Sequence, residues 1–320
     1  MRIRPLIALS AVALTGVLLA GCSGGDGGSP SASPSGTASA DLCASAAATG
    51  AATEAVTVKG DVGSDPSVTF TTPLEITEVE RTVETEGSGD PIKNGDWVEY
   101  GLSAFDAETG DKVGSVGYQE GSALPIQVSA ESLGQLFGCA TVGSRIVLGG
   151  PGSENGAAQI NVLDVLGILP LKAWGEEQEP VAGMPKVTIA DNGQPEVTIP
   201  DSKAPDELKI AVLKKGDGPV ITSTDRSMIQ YWGVDWSDGK SFDSTWSRGA
   251  EPYVPEQGDN TGYVKGFTQA LEGQTVGSQV LVVIPPSLGY GEKGTSDHAL
   301  AGKTLVFVID ILATQHAATE

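Results

Sequence analysis

Apolar and polar positions alternate through most of this chain, and the alternation comes in two matching sets. The run VTVKGDVGSDPSVTF (56–70) corresponds to VTIADNGQPEVTIP (187–200): a strand-like stretch, a glycine-containing turn and a second such stretch. LEITEVERTVETEGSGDPIKNGDWVEYGLSAF parallels LKIAVLKKGDGPVITSTDRSMIQYWGVDW, each with a Gly-Asp turn and a later tyrosine, Tyr100 or Tyr231, shortly before a glycine. GCATVGSRIVLGGPG (138–152) parallels LEGQTVGSQVLVVIPPSLGYG (271–291), and INVLDVLGIL (160–169) parallels LVFVIDILA (305–313). Period-two patterning with valine and threonine predicts strands. Helical spacing is brief. YVKGFTQALEGQ (263–274) sets Val264, Phe267 and Leu271 three and four apart before Gly273, and SAESLGQLFGCA (129–140) repeats the pattern with Ser129 or Ser132 as N-cap. The pattern therefore predicts an α+β plan used twice, each unit a mostly antiparallel sheet with one short helix.

The ends change the picture. MRIRPLIALSAVALTGVLLAGC sets two arginines before an apolar run too short to span a bilayer stably, the layout of a secretory signal. LLAGC (18–22) looks like a lipobox, so the expectation is a lipoprotein signal peptide at 1–21 and a lipidated Cys22. Residues 23–40, rich in Gly, Ser and Pro, read as a flexible tether. The remaining divisions are a first domain at 41–169, a linker at 170–182 marked by Pro170, Pro180 and acidic residues, and a second domain at 183–317. The expected place is the extracytoplasmic face of the cell membrane, reached through the N-terminal lipid.

Charge and cysteines then exclude some chemistry. Forty-one acidic residues against 19 basic ones give a formal net charge of -22, which repels nucleic acid. With Cys22 assigned to lipid, Cys43 and Cys139 remain; an oxidising compartment favours a disulfide between them, and two buried thiols stay the alternative. His298 and His316 are the only histidines, with no cysteine cluster to join them, so no metal site is expected. In the second unit His298 is the only nearby histidine that could serve as a base, no serine sits in a Gly-x-Ser-x-Gly setting, and the acids lie mainly in turns, which argues against hydrolase chemistry.

In the second domain the notable residues are aromatic. Three ordered blocks, MIQYWGVDWSDGKSFDSTWSRG (228–249), YVKGFTQALEGQTVGSQVLVVIPPSLGYG (263–291) and TLVFVIDILA (304–313), resemble the FK506-binding type of peptidyl-prolyl cis/trans isomerase over about residues 205–315. The complete plan, a lipoprotein with two such units, looks like the exported isomerases of actinobacteria. The resemblance implies two units, each a curled antiparallel β-sheet around a short α-helix, with a pocket that receives proline. It carries Tyr231, Phe242, Asp243 and Tyr290 over as catalytic positions. Arg248, Tyr253, Tyr263, Val264, Phe267, Leu300 and Phe307 are the corresponding substrate-binding positions, with Arg248 paired to Asp243. Phe267 stands where many members have tryptophan, Tyr263 where a smaller aliphatic residue is common. GEKGTSDHALAGKTLVF (291–307) lacks the usual Ile-Pro-Pro, leaving Ala299 or Leu300 for that contact.

The resemblance implies isomerisation of X-Pro bonds in exported proteins, by apolar binding of proline and stabilisation of the twisted amide. No cofactor is implied, and the protein is expected to be a monomer whose partners are exported proline-containing polypeptides. The alternative is a module that binds proline-containing clients, as a chaperone does, without turnover. The first domain reads DAETGDKVGSVGY (106–118) where the second has DGKSFDS, and GGPGSENG where the second has PPSLGYG. It is expected to keep the frame and lack catalysis.

Overall fold

A computed structural model describes residues 41–153, 156–254 and 263–317. The expected signal peptide, Cys22 and the tether lie outside the described residues. Among those described, no helix is long and apolar enough to cross a membrane.

The chain first makes one helical turn, α1 (Ala51–Glu54), and a hairpin of β1 (Thr57–Lys59) and β2 (Ser67–Thr69) that pairs Val58 with Val68. The next strands are β3 (Glu80–Thr85), β4 (Trp97–Asp106), β5 (Lys112–Val116) and β6 (Ile126–Gln127). A second helical turn, α2 (Gly134–Phe137), precedes β7 (Arg145–Gly150) and β8 (Gln159–Ile168). These strands form one antiparallel sheet in the order β3-β7-β8-β4-β5, with β6 also on β4.

The plan then repeats. Within the segment read as a linker, β9 (Glu176–Glu177) forms a two-residue edge strand against Lys214 and Lys215. A hairpin follows, β10 (Lys186–Ile189) with β11 (Pro195–Thr198), matching the β1–β2 hairpin as the repeated sequence predicts. Then come β12 (Lys209–Lys215), β13 (Arg226–Asp235), β14 (Ser241–Ser244), α3 (Lys265–Leu271), β15 (Gln279–Ile284) and β16 (Leu305–Gln315). The sheet order is β14-β13-β16-β15-β12-β9, again antiparallel throughout.

The expectation of a curled sheet around each helix is corrected here. Both sheets are open, with β3 and β5 as the edges of the first and β14 and β9 as the edges of the second. A sheet closes only when its edge strands pair. The physical reason for the open form is that both faces of each sheet need cover. β15 and β16 are almost continuously buried, which is why QVLVVI and LVFVIDILATQ are nearly solid apolar runs. Leu305, Phe307, Ile309 and Ile311 pack with Phe267 and Leu271 of α3 on one face. Val306 and Val308 pack on the other with Val187, Val197 and Ile199 from the β10–β11 hairpin. In the first sheet Ile160 and Val147 meet the β1–β2 hairpin through Val58 and Val68, while Leu163 and Val165 face Phe137. A seven-residue helix is only about 10 Å long. It covers one face, and the hairpin covers the other.

The helices are shorter than their spacing predicts. α3 starts at Lys265 because Val264 is still extended (φ -70°, ψ 151°), and it ends where Gly273 takes a φ of +79°. In the first unit Ser129 Oγ accepts the Ser132 N–H in a preceding turn, and Leu133 caps α2 with no side-chain bond. Cys43 and Cys139 are joined, tying the stretch before α1 to the residue pair that follows α2.

Candidate functional site

The second sheet collects its phenylalanines and tyrosines on the α3 face. Tyr231 on β13, Phe267 on α3 and Phe307 on β16 are buried at 7%, 2% and 6% exposure. Their rings meet edge to face, with centroids 6.0 Å apart for Tyr231–Phe267, 6.1 Å for Tyr231–Phe307 and 5.0 Å for Phe267–Phe307. Phe242 of β14 joins through Phe307 at 5.4 Å. This approach requires glycine at 233, where an added Cβ would lie 2.8 Å from the Phe307 ring and 2.9 Å from that of Phe242. Tyr263 lies flat on Phe267, with centroids 4.3 Å apart and planes 23° apart, and Tyr253 meets Tyr231 and Tyr263 at 6.1 and 5.7 Å. Tyr253 is fixed by paired backbone bonds with Ile229. Val264, Leu300 and Tyr290 pack half-buried against the same cluster.

A polar frame borders these rings. Tyr231 Oη donates to Asp243 Oδ2 at 2.6 Å and accepts from Arg248 Nη2 at 2.7 Å, while Arg248 Nη1 pairs with Asp243 Oδ1. β14 and the short turn Trp246–Arg248 bring the acid and the arginine to one place. Burial, then the hydrogen bond to Asp243, pushes the Tyr231 phenol up to about 12, so it stays a proton donor at neutral pH. Burial and the nearby Asp243 charge also raise Tyr290, so its hydroxyl is a donor too. Behind this frame Thr245 Oγ1 donates to Gln230 Oε1 at 2.6 Å and accepts the Tyr231 N–H at 3.1 Å, all buried. That brace, Gln230 with Thr245, had no motif to announce it in the sequence.

The structure thus gathers all eleven expected catalytic and substrate-binding positions on one face, with Tyr290 the least involved in ring contact. Its ring partner is His298, stacked at 3.6 Å with planes 6° apart. Sequence reasoning weighed His298 only as a base or metal ligand and so passed over it.

The first sheet differs at the matching points. Gly143 N–H donates to Val165 O and Gly277 N–H to Ile311 O, both at 2.8 Å, so Val165 and Ile311 are equivalent in register. Leu163 then matches Ile309, and their partners across the sheet are Leu102 and Tyr231. Leu102, not Tyr100, therefore stands at the place of Tyr231. Asn161 takes the place of Phe307, and counting back from the shared Thr-Val-Gly-Ser turn puts Leu133 at that of Phe267.

The comparison with protein families falls on the second sheet. The model of the family described as FKBP-type peptidyl-prolyl cis-trans isomerase matches residues 218–312. A probable FK506-binding protein of Corynebacterium glutamicum is 36% identical over 110 residues, covering 34% of this chain and 89% of that protein. The FK506-binding protein of Streptomyces anulatus is 36% identical over 110 residues, covering 34% and 87%. The peptidyl-prolyl cis-trans isomerase FKBP2 of Mus musculus is 36% identical over 108 residues, covering 33% and 75%. The family match spans the rings, the Tyr231–Asp243–Arg248 frame and Tyr290, and together with these relatives it establishes that this chain belongs to the FKBP-type peptidyl-prolyl cis-trans isomerase family.

Proposed function

We propose that the second domain, residues 183–317, isomerises X-Pro bonds of exported polypeptides, with Tyr231, Phe242, Asp243 and Tyr290 as its catalytic residues. The observation that carries this reading is the joining of an aromatic cluster to a hydrogen-bonded Tyr–Asp–Arg frame on one face of one sheet. Rotation about a peptide bond costs ~18–20 kcal/mol because conjugation keeps it planar, while the cis and trans ends of an X-Pro bond are nearly balanced. A catalyst therefore needs to favour only the twisted amide. Rings such as Phe242, Phe267 and Phe307 offer the prolyl ring an apolar seat and remove water that stabilises the planar, more polar form. Tyr290, a protonated donor, holds the acyl carbonyl during rotation, and the Tyr231–Asp243–Arg248 frame keeps the rim in place. No bond is broken.

The test is a protease-coupled assay of the full chain on a proline-containing p-nitroanilide peptide. Acceleration over the uncatalysed relaxation at micromolar protein supports turnover. Its absence, with peptide binding retained, favours the rival reading of a client-binding module. One observation leans that way: Tyr263 lies across Phe267 and leaves it only 2% exposed. The first domain, with Leu102, Leu133 and Asn161 in place of the three buried rings, is then a structural or client-holding copy.

Acylation at Cys22 and anchoring on the extracytoplasmic face complete the proposal. Cys22→Ser should release the protein from membranes with both sheets folded; wild-type chain found only in a soluble fraction with an unmodified cysteine would refute the anchor.

A further inference from the structure

His298 is the one histidine near the aromatic cluster, and two of its contacts converge on residues of that site. Its imidazole lies almost cofacial with the Tyr290 phenol ring, 3.6 Å between centroids and 6° between planes. Its Nδ1 accepts the Leu300 N–H at 3.2 Å, which puts the proton of the neutral ring on Nε2. Leu300 in turn packs against the cluster of Tyr231, Phe267 and Phe307. The histidine is itself tied down. Its N–H donates to Ser296 Oγ at 3.0 Å, its carbonyl accepts the Ala301 N–H at 2.9 Å, and Gly302 N–H to Gly291 O at 2.7 Å closes the base of the loop. One imidazole thus covers a face of the tyrosine and fixes the main chain of the neighbouring aliphatic wall.

We propose that His298 is a positioning residue of the isomerase site: its stacked ring sets the plane of Tyr290, and so the direction of its hydroxyl, while Nδ1 holds Leu300 against the rings. This rests on the reading of the second domain as an isomerase. Tyr290 follows the turn Pro286–Leu288 and belongs to no strand or helix, so backbone pairing does not aim it. A half-buried phenol in a loop turns about two side-chain bonds, and a flat partner on one face removes most of that freedom. Misdirected donors lose much of their effect on a transition state. The segment 299–301, Ala-Leu-Ala, carries no proline to stiffen it, and the bond to His298 Nδ1 supplies the missing constraint at Leu300.

The experiment uses the full chain, the same protease-coupled assay, and the variants H298A, H298F, H298N, Y290A and Y290A/H298A. H298A should lose roughly ten-fold in kcat/KM, in kcat more than in KM, because the loss lies in aim rather than in the apolar seat. H298F, which keeps the flat partner, should retain most of the activity, and H298N, which keeps only an acceptor, should fall with H298A. In the Y290A background H298A should cost clearly less, since the part that acts through the tyrosine is already gone and only the bond to Leu300 remains to be lost. H298F and Y290A keep the question open to measurement should H298A fail to fold. Inactive wild type would overturn the isomerase reading and this proposal together. Active wild type with H298A within two-fold of it, with H298N above H298F, or with equal costs of H298A in both backgrounds would overturn the role of His298 alone.

Discussion

Replacing Phe267 with alanine removes the ring at the centre of the aromatic cluster, and its cost can be worked from its surroundings. The side chain is 2% exposed and touches three rings, Tyr263 flat at 4.3 Å and Phe307 and Tyr231 edge-on at 5.0 and 6.0 Å. A buried Phe→Ala change costs ~3–5 kcal/mol through lost transfer energy and the cavity left behind. Each aromatic pair adds ~0.5–1.5 kcal/mol beyond burial, though not all of it, because Tyr263 can settle into part of the space. About 4 kcal/mol is the expectation. With a urea slope of about 2 kcal/mol per molar, that moves the midpoint down by about 2 M. Trp232, Trp236 and Trp246 stand on or beside the second sheet, so tryptophan fluorescence with circular dichroism as a second probe follows its unfolding. Isomerase activity should fall in the same variant at 25 °C without denaturant, since the seat for the prolyl ring goes with the side chain. A midpoint shift below about 0.5 M would show that the ring is not held in the core as its contacts imply. Unchanged activity would show that it is no part of the proline seat.

Tyr231→Phe removes a hydroxyl bonded to both Asp243 and Arg248 and should cost about 1–2 kcal/mol, at the low end for charged partners because that pair is 42% and 48% exposed and water can replace the bond. Urea midpoints measure it, and an unchanged midpoint would deny the frame any energetic part. Asp243→Ala with Tyr290→Phe in the full chain should bring catalysis close to the uncatalysed rate, because the first sheet has Leu102, Leu133 and Asn161 at the matching places. Substantial remaining turnover would place activity in the first domain. Asp310 is 1% exposed, and burial raises its pKa against the opposing hydrogen bonds from Gln279 Nε2 (2.7 Å) and Ala173 N–H (3.1 Å). The folded form therefore holds this proton more tightly than the unfolded chain, so the acid's contribution is most favourable below the ordinary carboxylate pKa and is lost as pH rises through the folded value. Asp310→Asn, which keeps an acceptor and carries no charge, should gain stability relative to wild type between pH 4 and pH 7; an equal difference at the two values would refute it.

The sequence disclosed what repeats and what is crowded with rings, and it failed where the outcome depended on a second layer or a count of residues. The two hairpins, β1–β2 and β10–β11, were legible because each is an alternating pair about a glycine turn. Their destination was not: nothing in VTIADNGQPEVTIP says that Val187 and Val197 will lie on the far face of β15 and β16, and the expectation of a curled sheet rested on the resemblance alone. The aromatic site was legible residue by residue through resemblance, because its members sit in ordered blocks. Gln230 with Thr245, and His298 on Tyr290, were hidden because each pair is joined by folding across eight residues or more with no spacing rule. The parallel between Tyr100 and Tyr231 shows the sharper limit. Both tyrosines occupy alternating strands and precede a glycine, yet the bonds from Gly143 and Gly277 place them two residues apart in register. A shift of two keeps a side chain on the same face of its sheet. Tyr100 thus still packs half-buried on the core side of the first sheet, and no rule of alternation registers the change. It moves by one pair along the strand, about 7 Å, and leucine faces the helix where the second domain has a phenol. That displacement takes away, at the matching place in the first sheet, the hydroxyl on which Asp243 and Arg248 converge in the second, so the Tyr–Asp–Arg frame has no counterpart at that register.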